Sequence, residues 1–352
     1  MNIAVYISGH GFGHLAQTAP VLNQLYQSRP TCRFLIRCSL PESELRARLQ
    51  FDFELEPEPV DLGVVQKSAI EEDREGSITL MRAWTTDLDA RIDREVMLLK
   101  GFQPDLILSD ISPLAFPAAR ALGVPSIGLA TLDWHTIYSH WLDANDLVIQ
   151  VLKRAYEVCD LLLSPPMAMD MQVFPNRQSI PLIAAYPDRI DFVARQDREK
   201  CALVIFGGSS QPPYDLNSLG EMSDWLFLIP GAPEHAPDNV HSITFSNSLK
   251  AVDLMPYVDV VVCKPGYGIL AECWRTGRPM VWVERPDFPE YPMLKRWLEE
   301  IFPSQGMNRS DFQRGNWLAM LEGAVASTRE FPELGRDGAE VASDTIISLL
   351  EG

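Results

Sequence analysis

The sequence predicts an α/β protein of two similar-sized domains, each built on a mostly parallel sheet. Three observations predict it. At 352 residues the chain is too long for one typical hydrophobic core and suits two. An apolar run passes into a glycine-rich turn and then a helical pattern at 2–27, and the strand-then-glycine signature returns at 202–210 and 260–268. Between these points short apolar runs alternate with stretches of helical spacing, the rhythm of βαβ units.

Each element follows from its local pattern. Residues 2–8 form a compact apolar strand, Gly9-His10-Gly11-Phe12-Gly13-His14 is the turn, and an amphipathic helix runs to about Gln27 with Leu15, Val21, Leu22 and Leu25 inward. A strand at 32–37 completes a βαβ unit and implies parallel pairing. The glycines are spaced G-x-G-x-G, not G-x-G-x-x-G, and no acidic residue closes the second strand, so NAD binding is not expected. Residues 56–80 are polar and read as an irregular loop; helical spacing resumes over 78–99. Asp87-Leu-Asp89 within it reads as a solvated helix face, and no metal is expected. A strand at 104–109 ends at Asp110, a helix covers 114–122, and the strand 127–130 runs into Thr131-Leu-Asp133-Trp134-His135-Thr-Ile-Tyr138. Open parallel sheets place ligands at such strand ends, although Trp134 and Tyr138 equally suit core anchors. A helix near 144–158 and a strand at 161–164 follow, and the weakly periodic 175–200 is the expected linker.

The second half carries strands at 202–206, 225–229, 239–244, 260–263 and 280–284, a helical stretch near 249–255, and a mostly helical remainder. The expected domains are 1–178 and 200–335, facing each other across a cleft, with a helix in 336–352 packing back toward the N-terminal one. The stretch Val260-Val-Val-Cys-Lys264-Pro265-Gly266-Tyr267-Gly268-Ile-Leu-Ala-Glu272 reads as a buried strand, a tight turn and a helix N-terminus. Unpaired N–H groups and the helix dipole make such a terminus an anion site, the glycines admit a phosphate, and Glu272 one turn on can reach a sugar hydroxyl. An ordinary turn with a solubilising glutamate is the plainer alternative.

Composition narrows the partners. A net charge of −18 argues against nucleic acid or an anionic membrane, while a local turn of amides can still hold a diphosphate. No run approaches the roughly 18 apolar residues of a membrane helix, so no integral membrane segment is expected. The first residues read as a strand rather than a signal peptide, and six cysteines without a C-x-x-C read as reduced and structural, the pattern of a cytoplasmic protein.

Taken in order, Ser8-Gly-His-Gly-Phe-Gly-His14, Asp61-Leu-Gly-Val-Val-Gln66, Ser109-Asp-Ile-Ser-Pro113, Leu132-Asp-Trp-His-Thr-Ile-Tyr138, Phe206-Gly-Gly208 and Lys264-Pro-Gly-Tyr-Gly268 resemble the GT-B glycosyltransferases. In particular they resemble the glycosyltransferase-like N-terminal half of L-arabinokinases, over roughly residues 1–320, without the sugar-kinase half. The resemblance implies two Rossmann-like doubly wound domains and an inverting, metal-independent transfer of sugar from a nucleoside-diphosphate sugar, UDP-linked, to a hydroxyl acceptor. It implies no cofactor beyond that co-substrate.

The resemblance also assigns residues. His14 is the general base and Asp110 its orienting carboxylate, with His10 the competing base or an acceptor or phosphate contact. Similarity to the bacterial N-acetylglucosaminyltransferase of peptidoglycan precursor synthesis puts Glu272 on the ribose, Lys264, Pro265, Gly266, Tyr267 and Gly268 at the diphosphate, and Phe245 and Ser246 beside the base. Gly207, Gly208 and Ser209 close over the phosphates, and Arg285, Asp287 and Glu290 fall where the donor sugar binds. Lys-Pro-Gly-Tyr-Gly and Arg-Pro-Asp depart from the turn and amide side chains of that transferase, so the donor sugar does not carry over. Gly11, Phe12, Gln66, Trp134 and Tyr138 are the expected contacts of a small, soluble acceptor. Two other functions suit the same residues: a GT-B-fold sugar-nucleotide epimerase, and a non-catalytic sugar or nucleotide sensor.

Overall fold

The computed structural model describes residues 1–68, 70–192, 198–206, 214–246 and 248–351. In chain order the first elements are β1 (Asn2–Ile7), α1 (Phe12–Ser28), β2 (Arg33–Arg37), α2 (Glu42–Arg48), β3 (Glu54–Glu56), β4 (Gln66–Ser68) and β5 (Glu71–Glu72). Then come α3 (Arg74–Thr86), α4 (Leu88–Phe102), β6 (Leu106–Asp110), α5 (Ala115–Leu122), β7 (Ser126–Leu129), α6 (Trp134–Ser139), α7 (Leu147–Tyr156), β8 (Leu161–Ser164) and β9 (Arg177–Ser179). The second half holds β10 (Lys200–Ile205), α8 (Leu216–Gly220), β11 (Trp225–Pro230), β12 (Val240–Ile243), α9 (Ala251–Leu254), β13 (Val260–Cys263), α10 (Tyr267–Thr276) and β14 (Met280–Val283). It ends with α11 (Tyr291–Glu300), β15 (Ser304–Met307), α12 (Arg309–Arg314), α13 (Leu318–Val325) and α14 (Gly338–Glu351).

The chain divides into two compact units. The first comprises 1–65, 72–184 and 335–352, and the second 66–71 and 185–334. In the first unit a seven-stranded sheet runs β3-β2-β1-β6-β7-β8-β9, parallel throughout. The central strands are buried on both faces and are correspondingly apolar along their whole length, as in Ile3-Ala-Val-Tyr-Ile7 and Leu106-Ile-Leu108. On one face Leu15, Val21, Leu22 and Leu25 of α1 join Ala339, Ala342 and Ile346 of α14 in a single core. An exception inside this unit is Arg37, 1% exposed, which pairs with Glu95; Tyr6 donates to the same carboxylate at 2.8 Å, so no charge is buried alone.

The second unit has a six-stranded sheet of order β12-β11-β10-β13-β14-β15, also parallel. In both sheets the strand order reverses beside the first strand, between β1 and β6 in one and between β10 and β13 in the other. Open α/β sheets bind ligands at the carboxyl ends of the strands flanking that reversal. The turn holding His14 follows β1, Asp110 ends β6, and Lys264–Gly268 follows β13.

Several local expectations are corrected. The segment 56–80 is not one loop: β4 and β5 pair in a two-stranded sheet and α3 begins at Arg74, with the Asp73 side chain capping it by accepting from Gly76 N–H at 3.1 Å. The helix expected over 78–99 breaks at Asp87, which ends α3 and opens α4, its carboxylate paired with Arg94 at 3.2 Å. Part of the expected linker is β9, a strand of the first sheet paired with β8, and β15 lies in the remainder expected to be helical. Trp134 to Tyr138 is a helix rather than a strand end, because Asp133 accepts from Thr136 N–H at 2.8 Å and caps it. All six cysteines are free and buried, and burial pushes the thiols of Cys159 and Cys263 up to about 12. Among the described residues, no helix is long and apolar enough to cross a membrane.

Candidate active site

In the first unit the turn after β1 and the start of α1 carry the reactive side chains. Gly11 caps α1 in extended backbone, so the helix begins at Phe12 and His14 sits in its first turn. His14 Nδ1 lies 2.9 Å from Asp110 Oδ1, with the imidazole 13% exposed and the carboxylate 2%. Asp110 is fixed from the next turn of the same helix: Thr18 Oγ1 donates to Oδ2 at 3.1 Å, and Gln17 Nε2 bonds Leu129 O at 2.9 Å while approaching Oδ2 at 3.5 Å. Positions 14, 17 and 18 share one helix face, so a single rigid element presents both the imidazole and the donors that hold its carboxylate. With Nδ1–H directed at Asp110, the lone pair of His14 is on Nε2.

His10 is differently engaged. Its Nδ1 accepts from Val64 N–H at 3.2 Å, which puts the ring proton on Nε2 and makes His10 a donor toward its surroundings. Its ring packs on Gly63, whose φ of +60° favours glycine and whose added Cβ would fall 2.4 Å from His10 Nδ1.

Around both imidazoles stands a polar framework in which Asp61 and Ser8, absent from the sequence-derived set, join Trp134 and Tyr138. Asp61, 6% exposed, accepts from Ser8 Oγ at 2.9 Å and from Trp134 Nε1 at 3.0 Å; burial raises its pKa. The Trp134 ring meets His10 and His14 at centroid distances of 5.5 and 6.1 Å. Ser8 Oγ also accepts from His10 N–H at 3.2 Å, and Tyr138 OH donates to Gly63 O at 2.9 Å. Trp134 and Tyr138, expected as acceptor contacts, are both fully buried with their polar atoms engaged, and they brace the turn. Phe12 is 42% exposed, and a Cβ added to Gly11 or Gly13 would meet nothing within 4 Å among the described residues. Gln66, expected as an acceptor contact, lies in β4, which belongs to the second unit.

The second unit holds the candidate anion site. Gly266, in extended backbone, caps α10, and no side chain occupies the space its own Cβ would take among the described residues. Tyr267 and Gly268 are buried in the first turn of α10, the end of a helix toward which its N–H groups point. Arg285, 5% exposed, donates from Nη1 to Pro265 O at 3.3 Å and lies over the Phe288 ring at 4.6 Å, bracing the turn that contains Lys264. Glu272 and Glu290 are buried, while Asp287 is exposed and pairs with Arg309 at 3.1 Å. Phe245 is half-buried, and Ser246 exchanges backbone hydrogen bonds with Leu249 at 3.0 and 3.2 Å. Gly207, Gly208 and Ser209, expected over the phosphates, lie outside the described residues. Among those described, no three His, Cys, Asp or Glu side chains are grouped as metal ligands.

Sequence comparison finds L-arabinokinase of Arabidopsis thaliana, 26% identical over 97% of this chain. The chain spans 33% of that relative's length. No family model matches. Among solved structures, the glycotransferase of kitacinnamycin aligns with a TM-score of 0.65 at 17% identity, covering 99% of this chain and 94% of that one. The calicheamicin glycosyltransferase CalG4 aligns with a TM-score of 0.64 at 12% identity, covering 99% and 94%. A UDP-glucosyltransferase of Polygonum tinctorium aligns at 0.64 and 12%, covering 100% and 98%. Two parallel sheets of Rossmann-like order, matched along the whole chain by these structures, give the protein the GT-B glycosyltransferase fold.

Proposed function

We propose that this chain is an inverting, metal-independent glycosyltransferase that moves a sugar from a UDP-sugar to the hydroxyl of a small, soluble acceptor. The observation that carries the reading is the 2.9 Å pairing of His14 Nδ1 with the buried Asp110 at the strand-order reversal of the first sheet. Nε2 of His14 takes the proton of the acceptor hydroxyl as its oxygen bonds to the anomeric carbon and the bond from that carbon to the diphosphate oxygen breaks. One such displacement, with attack opposite the leaving group, inverts the anomeric centre. Asp110 holds the tautomer and stabilises the imidazolium that forms.

The leaving diphosphate gains negative charge, and the Tyr267 and Gly268 N–H groups at the start of α10 meet it without reorganisation. The room at Gly266 supports a close approach by phosphate, and Glu272 in the same helix takes the ribose. The acceptor lies on Phe12, Gly11 and Gly13, where the protein surface is open. The fold's solved neighbours include a UDP-glucosyltransferase and a glycosyltransferase, VinC, in complex with dTDP, which support a nucleotide-sugar donor.

A thermal-shift panel of UDP, dTDP, GDP and ADP in EDTA tests the donor, since ligand at about a thousand times Kd stabilises by roughly 4 kcal/mol. Turnover with the matching nucleotide sugars is then read by mass spectrometry against a glycoside library. His14→Ala abolishes transfer and leaves UDP stabilisation intact. Conversion of the donor sugar to an epimer without acceptor would mark an epimerase instead, and binding without turnover a sensor.

A further inference from the structure

Asp61 carries no role in the reaction as derived so far, yet its position is hard to explain by packing alone. It comes from a stretch without regular structure, is buried, and spends both carboxylate oxygens on two elements of the site. Oδ1 takes the Ser8 hydroxyl at the end of β1, and Oδ2 takes the Trp134 indole at the first position of α6. Ser8 in turn fixes the His10 backbone, and Ser8 N–H donates to Asp110 O at 2.7 Å. Asp61 thus ties the imidazole turn, the tryptophan on which both imidazoles pack, and through Ser8 the strand end bearing Asp110.

Building on the proposed transferase reading, we propose that Asp61 is the positioning residue of the acceptor-activating site, a second carboxylate that locks the His10–His14 turn and favours the protonated form of His14. The titratable groups around it support this. Cys38 after β2 is pushed up to about 11 by burial, and burial likewise raises the phenols of Tyr138 on α6 and Tyr156 on α7, so all three stay neutral across the working range. Asp133 is taken up by Thr136, through Oγ1 at 2.6 Å and N–H at 2.8 Å. Asp61 and Asp110 are therefore the carboxylates that face His14 and His10. The attraction is mutual: a charged His14 lowers the pKa of Asp61 against the larger effect of burial.

Two measurements test the two halves. The His14 imidazole, one of six in the chain, is titrated by NMR, its resonance assigned by its loss in His14→Gln. Asp61→Asn keeps the shape, its amide donating to Ser8 Oγ and its oxygen accepting from Trp134, while removing the charge. Its His14 midpoint falls by about 0.5–1 unit, and that of Ser8→Ala, which leaves the carboxylate, stays at the wild-type value. An unchanged midpoint in folded Asp61→Asn overturns the electrostatic half. Ser8→Ala and Trp134→Phe each remove one donor to Asp61 and stand in if Asp61→Asn does not fold. Each lowers kcat roughly tenfold at unchanged UDP affinity; a fall in Tm with wild-type kcat in both overturns the positioning half. The titration needs no turnover, so a wild type that transfers no sugar refutes the transferase reading and leaves the Asp61 result legible.

Discussion

Replacing Asp110 by Asn is the sharpest test of the proposed chemistry. Three donors converge on this carboxylate: His14 Nδ1 at 2.9 Å, Thr18 Oγ1 at 3.1 Å and Gln17 Nε2 at 3.5 Å. An amide satisfies only some of them. If its oxygen keeps Thr18, its NH2 group faces His14 and drives the ring proton to Nε2, where the base's lone pair is needed. The lost charge-assisted hydrogen bond is worth about 1.5–3 kcal/mol, or roughly 10- to 150-fold at about 1.4 kcal/mol per decade. With the wrong tautomer added, kcat falls about 10²- to 10⁴-fold. The assay is single-turnover formation of glycoside at saturating UDP-sugar, with UDP affinity measured alongside. A kcat within threefold of wild type, or a loss confined to donor KM, would refute the pairing as catalytic.

Other perturbations probe the supports of the site. His10→Ala lowers kcat less than about tenfold, because the Nδ1 of His10 is held by Val64 N–H and the base is His14; a His10→Ala loss equal to that of His14→Ala would reverse the assignment. Gly63→Ala, at φ +60° with its Cβ 2.4 Å from His10 Nδ1, destabilises by about 1–3 kcal/mol, read as a lower Tm. Asp133 is buried and its pKa raised to about 6, against about 3.9 unfolded. A raised folded pKa means stability present below the unfolded value and lost as pH climbs through the folded one. Relative to Asp133→Asn, which keeps a capping oxygen, the wild type therefore loses on the order of 3 kcal/mol between pH 4 and pH 7, and parallel denaturation curves across that window would contradict this. Gly338→Ala puts a Cβ 2.1 Å from Pro181 O and loosens α14, lowering Tm; an unchanged Tm would mean that the segment adjusts freely.

The legible parts of the chain were those where burial dictates residue type. β1, β6, β10 and β13 are buried strands, so their apolar runs marked them and placed His14, Asp110 and the 264–268 turn at strand ends. The edge strands of the first sheet left no such mark. β9 reads Arg-Gln-Ser and β3 Glu-Leu-Glu, and each exists because a neighbour's backbone offers hydrogen bonds. α2 buries only Leu45, too little for a helical stripe. Gln17 and Thr18 were within reach of sequence reasoning: they are polar residues on the inward face of α1, three and four positions beyond His14, and buried polar groups require partners. Asp61 was not, since the contacts that define it come from residues 53 and 73 positions away.

The first unit is sewn together from segments that precede and follow the second unit in sequence, and that has a consequence for how the protein is made. Ala342 and Ile346 of α14 share a core with Leu22 and Leu25 of α1, and Gly338 N–H bonds Leu182 O at 2.9 Å. During synthesis the N-terminal sheet emerges first, with the face that α14 covers left bare, and it stays bare while residues 185–334 are translated and can collapse on their own. α14, translated after residues 185–334, completes the first core. A nascent chain halted before residue 338 therefore displays an open hydrophobic face on its N-terminal half, a natural site for chaperone engagement.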